Sequence, residues 1–253
     1  MNKIYKIVFE ALSAIAITKK QYNILYLTEF FIPGWTVWGA LVKIYALNKK
    51  VSFRAAQDEW KNVRLTNFYI YYDKVLYLPH KRNCTDNVCW GELSEEEFVR
   101  KFITSEVKVS IDPLTNTAGP EMLYEREFIK HNPEGKRNIS FCGFIKAPIE
   151  DLDSLLRDKK LFIGADKNIG FGKVKIKEIS PVDKSESLTE EEKNLYEVIK
   201  NSKSKKYLIP VEMEIENTDT IDTIFPLVIR LWSEEKGSGE EIKFIEFVKE
   251  PCF

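Results

Sequence analysis

The sequence predicts an α+β fold, on three observations. Segments with the two-residue alternation of strands are interspersed with segments whose apolar residues fall at helical spacing. The order of the elements is read as strand, helix, strand, strand, helix, strand. Apolar residues make up 44% of 253, enough to pack one large domain or two small ones.

Ile4 to Phe9 sets Ile4, Lys6 and Val8 against Tyr5, Ile7 and Phe9 and reads as a buried first strand. A polar patch (Thr18, Lys19, Lys20) follows, and Pro33-Gly34 marks a turn. Trp35, Trp38, Leu41, Val42 and Tyr45 then fall at helical spacing, predicting a helix over 35–48. Residues 65–78 are aromatic and strand-like, and Ser94 with Glu97 forms a capping box that starts a short helix. Residues 107–129 predict a long hairpin, two strands around a turn-rich segment with Pro113, Gly119 and Pro120. Asn138 to Ile145 reads as a strand, Glu150 to Arg157 as a helix, and Lys160 to Ile163 as a strand entering FIGADKNIGFGKVKI, residues 162–176.

Ser185 to Ser204 is polar and charged, with Thr189 and Glu192 capping a helix of its own. It reads as a joint between a domain of residues 1–180 and a smaller β-rich lobe of residues 181–253. In that lobe residues 208–215 alternate as a strand does, and residues 227–232 and 242–248 flank the hairpin signal Gly237-Ser238-Gly239. The element order implies an antiparallel sheet with helices on one face, the ferredoxin-like split βαβ, with a second, degenerate lobe. RNA-recognition modules share that architecture.

The glycine-rich loop raises the question of a phosphate. Glycine-rich nucleotide loops run from a strand into a helix, whose free N–H groups meet the anion. This one runs into Lys173 to Lys177, where lysine alternates with Val174 and Ile176, so another strand follows. Neither G-x-G-x-x-G nor G-x-x-x-x-G-K-[ST] is present, which excludes the dinucleotide and P-loop readings. Lys and Arg total 38 against 39 acids, and the net charge of −1 makes no global case for nucleic acid. The distribution says more: residues 160–177 hold five lysines and one Asp, residues 186–197 five Glu and one Lys. A solvated lysine face is the plain reading; a local phosphate site is the other.

No apolar run approaches the roughly 20 residues of a membrane helix. The amino-terminus, interrupted by Lys6 and Glu10, reads as mature and intracellular. Cys84, Cys89, Cys142 and Cys252 are too few for a secreted disulfide scaffold. His80, Cys84 and Cys89, with Cys142 or His131, are the one candidate metal set, but the spacing is irregular and the reading is free thiols with no metal.

Four pieces in order resemble the CRISPR-associated RAMP superfamily. Ile32-Pro33-Gly34 leads into a helix with Gly39 and Leu41. Val109 to Glu127 follows with Ile111, Asp112, Thr115, Ala118, Leu123 and Tyr124. Then come a strand with a central glycine (Phe141 to Ile145, around Gly143) and the glycine-rich loop, Ile163 to Val174. The resemblance implies that the phosphates are those of RNA. The RNA-binding residues it implies are Lys19, Lys20, Gly34, Trp35, Trp38, Lys43, Gly164, Lys167, Asn168, Gly170, Phe171, Gly172 and Lys173. Trp38 stands where the family usually carries a basic residue, so Trp35 and Trp38 are base-stacking residues or, on the plainer reading, core.

Family members that form the backbone of type III effector complexes cut target RNA with an Asp between the first strand and the Pro-Gly turn. Residues 11–33 hold no Asp and a single acid, Glu29. Repeat-processing endoribonucleases of the superfamily commonly use a His, and His80 and His131 lie outside the motifs. The resemblance therefore implies a non-catalytic, cofactor-free subunit of a type III effector complex that binds guide RNA and sits among other effector subunits in the cytoplasm, with no membrane. The chain continues for over 70 residues past 180, which fits a subunit at the 5′ handle or the end of the complex. The alternatives are a metal-independent endoribonuclease that processes the guide precursor, or a target-cleaving backbone subunit.

Overall fold

A computed structural model describes residues 3–81, 88–111, 117–148, 152–182 and 187–200, and the backbone of 221–223, 227–231, 240–244 and 247–248. The chain opens with β1 (Lys3–Ala11), β2 (Thr18–Tyr22), β3 (Leu25–Thr28), α1 (Gly34–Lys49) and α2 (Phe53–Trp60). Short strands follow: β4 (Arg64–Leu65), β5 (Tyr69–Tyr72), β6 (Val75–Leu76), β7 (Pro79–Lys81), β8 (Val88–Trp90) and β9 (Leu93–Ser94). Next are α3 (Glu95–Phe102), β10 (Ile103–Ile111), β11 (Ala118–Ile129), β12 (Ser140–Ala147), α4 (Leu152–Leu156), β13 (Lys160–Phe162), β14 (Lys173–Pro181) and α5 (Glu190–Lys200). The last strands are β15 (Ile221–Thr223), β16 (Leu227–Leu231), β17 (Glu240–Phe244) and β18 (Phe247–Val248).

The fold is α+β. Its main sheet runs β13-β14-β1-β12-β5-β6, with β4 also on β12, and every pairing in it is antiparallel. A second sheet runs β10-β11-β3-β2, antiparallel except for the parallel β11–β3 pair. The long hairpin expected over 107–129 is β10 and β11; of its expected turn residues Pro113 lies outside the described residues, while Gly119 and Pro120 fall within β11. The expected strand at 208–215 and the turn Gly237 to Gly239 also lie outside them, while β16 and β17 pair in antiparallel register.

Helix α1 starts at Pro33 without a side-chain cap of its own. Its first free amide, on Gly34, donates instead to Asn67 Oδ1 (3.0 Å). Helix α3 carries the expected capping box: Glu97 N–H donates to Ser94 Oγ (3.4 Å) and Ser94 N–H to Glu97 Oε2 (2.9 Å). Its Phe98 and Phe102 enter an aromatic cluster with Phe30, Tyr77 and Trp90. In the middle of β12, a Cβ on Gly143 would lie 2.7 Å from the Phe68 ring, so the expected central glycine is where that ring crosses the sheet.

Helices were expected on one face of the main sheet; both faces are covered. Lys6 and Phe144 are register partners on β1 and β12 and share a face. Helix α5 lies over them, with Glu192 Oε1 2.6 Å from Lys6 Nζ and the Tyr196 ring 6.1 Å from that of Phe144. On the opposite face Ile7, Phe9 and Phe141 are fully buried. Burial, the largest single influence, would lower the Lys6 pKa, but the hydrogen bond to Glu192 and the nearby negative charges together outweigh it and the net shift is upward. The polar segment expected as a joint thus buries Leu195, Tyr196, Val198 and Ile199. Among the described residues no helix is long and apolar enough to cross a membrane.

Candidate nucleic-acid interface

The glycine-rich loop leaves β13 at Phe162 and enters β14 at Lys173, strand to strand as its sequence requires. Its base is main chain packed on main chain. The N–H of Gly172 donates to Ala14 O (2.7 Å), that of Ala165 to Ala16 O (2.8 Å), and that of Lys173 to Ser13 Oγ (2.9 Å). A Cβ on Gly164 would fall inside contact distance of Ala16 O, and one on Gly172 inside that of Ile163 O. Both also have left-handed backbones, at φ 86° and 76°. These two glycines clamp the loop onto the segment after β1.

The tip is built differently. Lys167 to Ile169 form one exposed 3-10 turn, closed by Gly170 at φ 98° with nothing within 4 Å of where its Cβ would be. Asp166 precedes the turn at φ 55°, and its carbonyl accepts from Ile169 N (3.1 Å) and Phe171 N (3.2 Å). Its carboxylate lies 2.8 Å from Arg126 Nε and 3.8 Å from Lys108 Nζ. Neither Arg126 Nε nor Asp166 Oδ2 makes a hydrogen bond, so the 2.8 Å contact is off-axis and acts as an ion pair.

Arg126 also donates through Nη1 to Thr18 Oγ1 (3.0 Å) and stacks 4.5 Å over Tyr26. Lys108 Nζ sits 3.7 Å over the Phe171 ring, whose edge meets Phe128 at 5.1 Å. Two cations share one carboxylate, so the cluster keeps a surplus positive charge beneath the loop tip. Thr18 heads β2, and the exposed Lys19 and Lys20 follow it, Lys20 lying 4.4 Å over Tyr22. The Asp166–Arg126–Thr18 chain therefore brings Lys19, Lys20, Lys167, Asn168, Gly170 and Phe171 into one region.

The α1 residues are positioned by their helix. Gly34 is buried, and a Cβ there would lie 2.8 Å from Thr66 O. Trp38 Nε1 donates to Trp60 O (3.3 Å) and the ring packs against the core, while Trp35 is half-buried and Lys43 exposed.

Sequence reasoning missed Lys108, Arg126 and Asp166. The signal was in β11: in Glu125-Arg126-Glu127 a two-residue alternation turns Arg126 away from both acids, to the side of Tyr124 and Phe128. Of the catalytic candidates, Glu29 is buried and its carboxyl pKa is pushed up by burial, with Lys19 opposing. His80 and His131 are exposed. His80 faces Cys89 across β7–β8, Cys84 lies outside the described residues, and no metal-ligating cluster occurs among the described residues.

No protein-family model matches the chain and no curated protein matches it by sequence. Solved structures do. A chain of the cryo-EM structure of the type III-B Cmr-beta complex bound to cognate target RNA and AMPPnP is 11% identical, with a TM-score of 0.55 over 97% of this chain and 84% of that one. A chain of the Cmr-beta complex bound to cognate target RNA is 8% identical, with a TM-score of 0.47 over 69% of this chain and 96% of that one. The oligomeric Cmr4 of Pyrococcus furiosus is 10% identical, with a TM-score of 0.37 over 72% of this chain and 100% of that one. The expected likeness to CRISPR effector chains thus holds at the level of architecture: over nearly its whole length the chain shares the fold of a chain from a type III-B Cmr-beta complex.

Proposed function

We propose that the chain is a non-catalytic, guide-RNA-binding subunit of a CRISPR type III effector complex, working in antiviral defence beside other effector subunits. The observation that carries this reading is the fold shared with a chain of the target-RNA-bound Cmr-beta complex. The order β14-β1-β12-β5, with α1 and α4 in the two crossovers, supports a split βαβ ferredoxin-like first domain, and residues beyond about 180, apart from α5 on the main sheet, are read as a second, degenerate lobe. Such a subunit works in the cytoplasm and sits at the 5′ handle or the end of the complex.

RNA-recognition modules of this topology stack bases on an open sheet face. Here α5 occupies a face of the main sheet, so the RNA path is placed on loops. In the proposed path Lys167, Asn168, Gly170 and Phe171 at the loop tip, with Lys173, Lys19 and Lys20, meet phosphates and 2′-hydroxyls. Gly164 and Gly172 shape the loop beneath them. Anisotropy with single-stranded RNA tests this: affinity should fall as salt rises, by counterion release. Lys167→Ala plus Lys173→Ala should weaken every sequence alike, because phosphate contacts carry no base information. Affinity that is flat in salt, or unchanged in the double variant, would sink the reading.

A second reading, RNA cleavage, rests on Glu29 alone, the single acid in residues 11–33. Incubation with repeat RNA in the absence of metal separates the two. A Glu29-dependent product would replace the first reading with the second.

A further inference from the structure

Where α1 turns into α2 the surface changes character. Lys50, in a left-handed conformation (φ 56°), and Val51 both close their N–H groups back on the Ala46 carbonyl. Ser52 then caps α2, its Oγ accepting from Ala55 N (3.2 Å). The corner leaves three apolar side chains in water: Leu47 (66% exposed), Val51 (37%) and Phe53 (46%). One exposed apolar residue is ordinary; three at one corner are a patch.

Around them Lys43, Lys49, Lys50 and Arg54 are exposed, and residues 36–57 contain no Asp or Glu. Among the described residues none of these four cations is in an ion pair. Three neighbouring acids are already engaged. Glu59 accepts from the Tyr45 hydroxyl (2.5 Å). Asn48 reaches the carbonyl of Leu155 on α4; on that helix Asp153 pairs with Arg157 (2.7 Å), and just beyond it Asp158 pairs with Lys175 (2.7 Å). Asp58 stands one turn beyond Arg54 without pairing to it.

We propose that this corner docks an acidic amphipathic segment of another protein; the proposal rests on reading the chain as a subunit of a larger assembly. Four cations without an ion pair among the described residues select an acidic partner. Leu47 and Val51 select a protein: aliphatic side chains gain by burial against apolar ones, and neither phosphate contact nor base stacking uses them. A nucleic acid would take the lysines and the Phe53 ring but leave Leu47 and Val51 wet. The corner is formed by two helices in contact, so the surface is preformed.

The test uses the full chain and a labelled peptide that forms an amphipathic helix, with Leu and Phe on one face and Glu on the other. Saturable binding is expected, and Leu47→Ser plus Phe53→Ser should weaken it at least about tenfold. Lys43→Glu plus Lys49→Glu should abolish it and confer binding of the same peptide with Lys in place of Glu. Uridine-only single-stranded RNA in excess should leave the peptide bound, and the Leu47, Phe53 variant should keep its RNA affinity. Unchanged unfolding midpoints show that these exposed substitutions leave the fold intact. Absence of peptide binding, or binding indifferent to both variants, overturns the proposal. Displacement of the peptide by RNA overturns it too, and assigns the corner to nucleic acid. The Lys167, Lys173 variant should lose RNA and keep the peptide, so failure of the RNA-binding reading appears in that arm alone.

Discussion

At the base of the glycine-rich loop and at the corner after α1 the chain makes the same backbone move with different residues. Gly164 and Gly172 take φ 86° and 76°, and Lys50 takes 56°. A left-handed backbone costs an ordinary residue only about 1–2 kcal/mol, so it does not by itself require glycine. What requires it at the loop base is volume: the carbonyls of Ala16 and Ile163 occupy the space a Cβ needs. Lys50 points into solvent and has no such neighbour. Gly170, with nothing within 4 Å, is of the Lys50 kind although it lies in the loop. Two of the loop's glycines hold it in place and the third bends its tip.

The largest effect that tests this contrast is at the base. Gly172→Ala should cost roughly 3 kcal/mol or more in denaturant unfolding, since main chain must move as well as strain. Gly164→Ala belongs to the same class. Gly170→Ala should cost only about 1 kcal/mol. Gly170→Val should add several-fold weaker RNA binding, because a branched side chain then stands where a phosphate backbone has to come close. Equal costs at all three glycines would end the distinction between holding and bending.

A smaller effect probes the packed side of the loop. Glu29 donates its N–H to Ile17 O (2.7 Å), beside Gly164, and burial raises its carboxyl above the ordinary 4.5. A carboxyl raised on folding takes up a proton more readily in the folded state. Its contribution to stability is therefore present below the ordinary value and lost as pH rises through the folded pKa. Glu29→Gln should raise the unfolding midpoint at neutral pH and leave it unchanged in acid below 4.5. A gain that persists unchanged in acid would mean that a contact, and not the charge, is responsible.

Much of this was legible in the sequence because its signals are local. Alternation marked β1, helical spacing marked α1, and Ser94 with Glu97 marked the start of α3. β2 was hidden because it is exposed along its whole length, so its lysines show no apolar alternation and read as a polar patch. Helix α5 was seen as a helix but not as a lid on the sheet, since what docks it is the Lys6–Glu192 pair across 186 positions of sequence. The glycine loop was found, yet its glycines looked alike. Only the three-dimensional neighbours of Gly164 and Gly172 tell them from Gly170. Asp166 and Arg126 were missed for the same reason, since an ion pair between strand and loop leaves no spacing to read.

The smallest effect is at the corner and runs in the opposite direction. Lys50→Gly removes the left-handed penalty of about 1–2 kcal/mol. Against this, glycine gives the unfolded chain more freedom, worth about 0.5–1 kcal/mol. Loss of a cation at a helix C-terminus takes a further 0.3 kcal/mol or so. The balance is a stabilisation of about 0.5 kcal/mol, small but of opposite sign to every glycine replacement in the loop. Lys50→Ala is the control, because it removes the same charge and keeps the strained φ. The glycine variant should exceed the alanine variant by about 0.8 kcal/mol in unfolding free energy, the left-handed penalty less the entropy term. If glycine destabilises as much as alanine does, the Lys50 side chain holds the corner through contacts of its own. The same left-handed turn would then be side-chain-built at the corner and main-chain-built at the loop base.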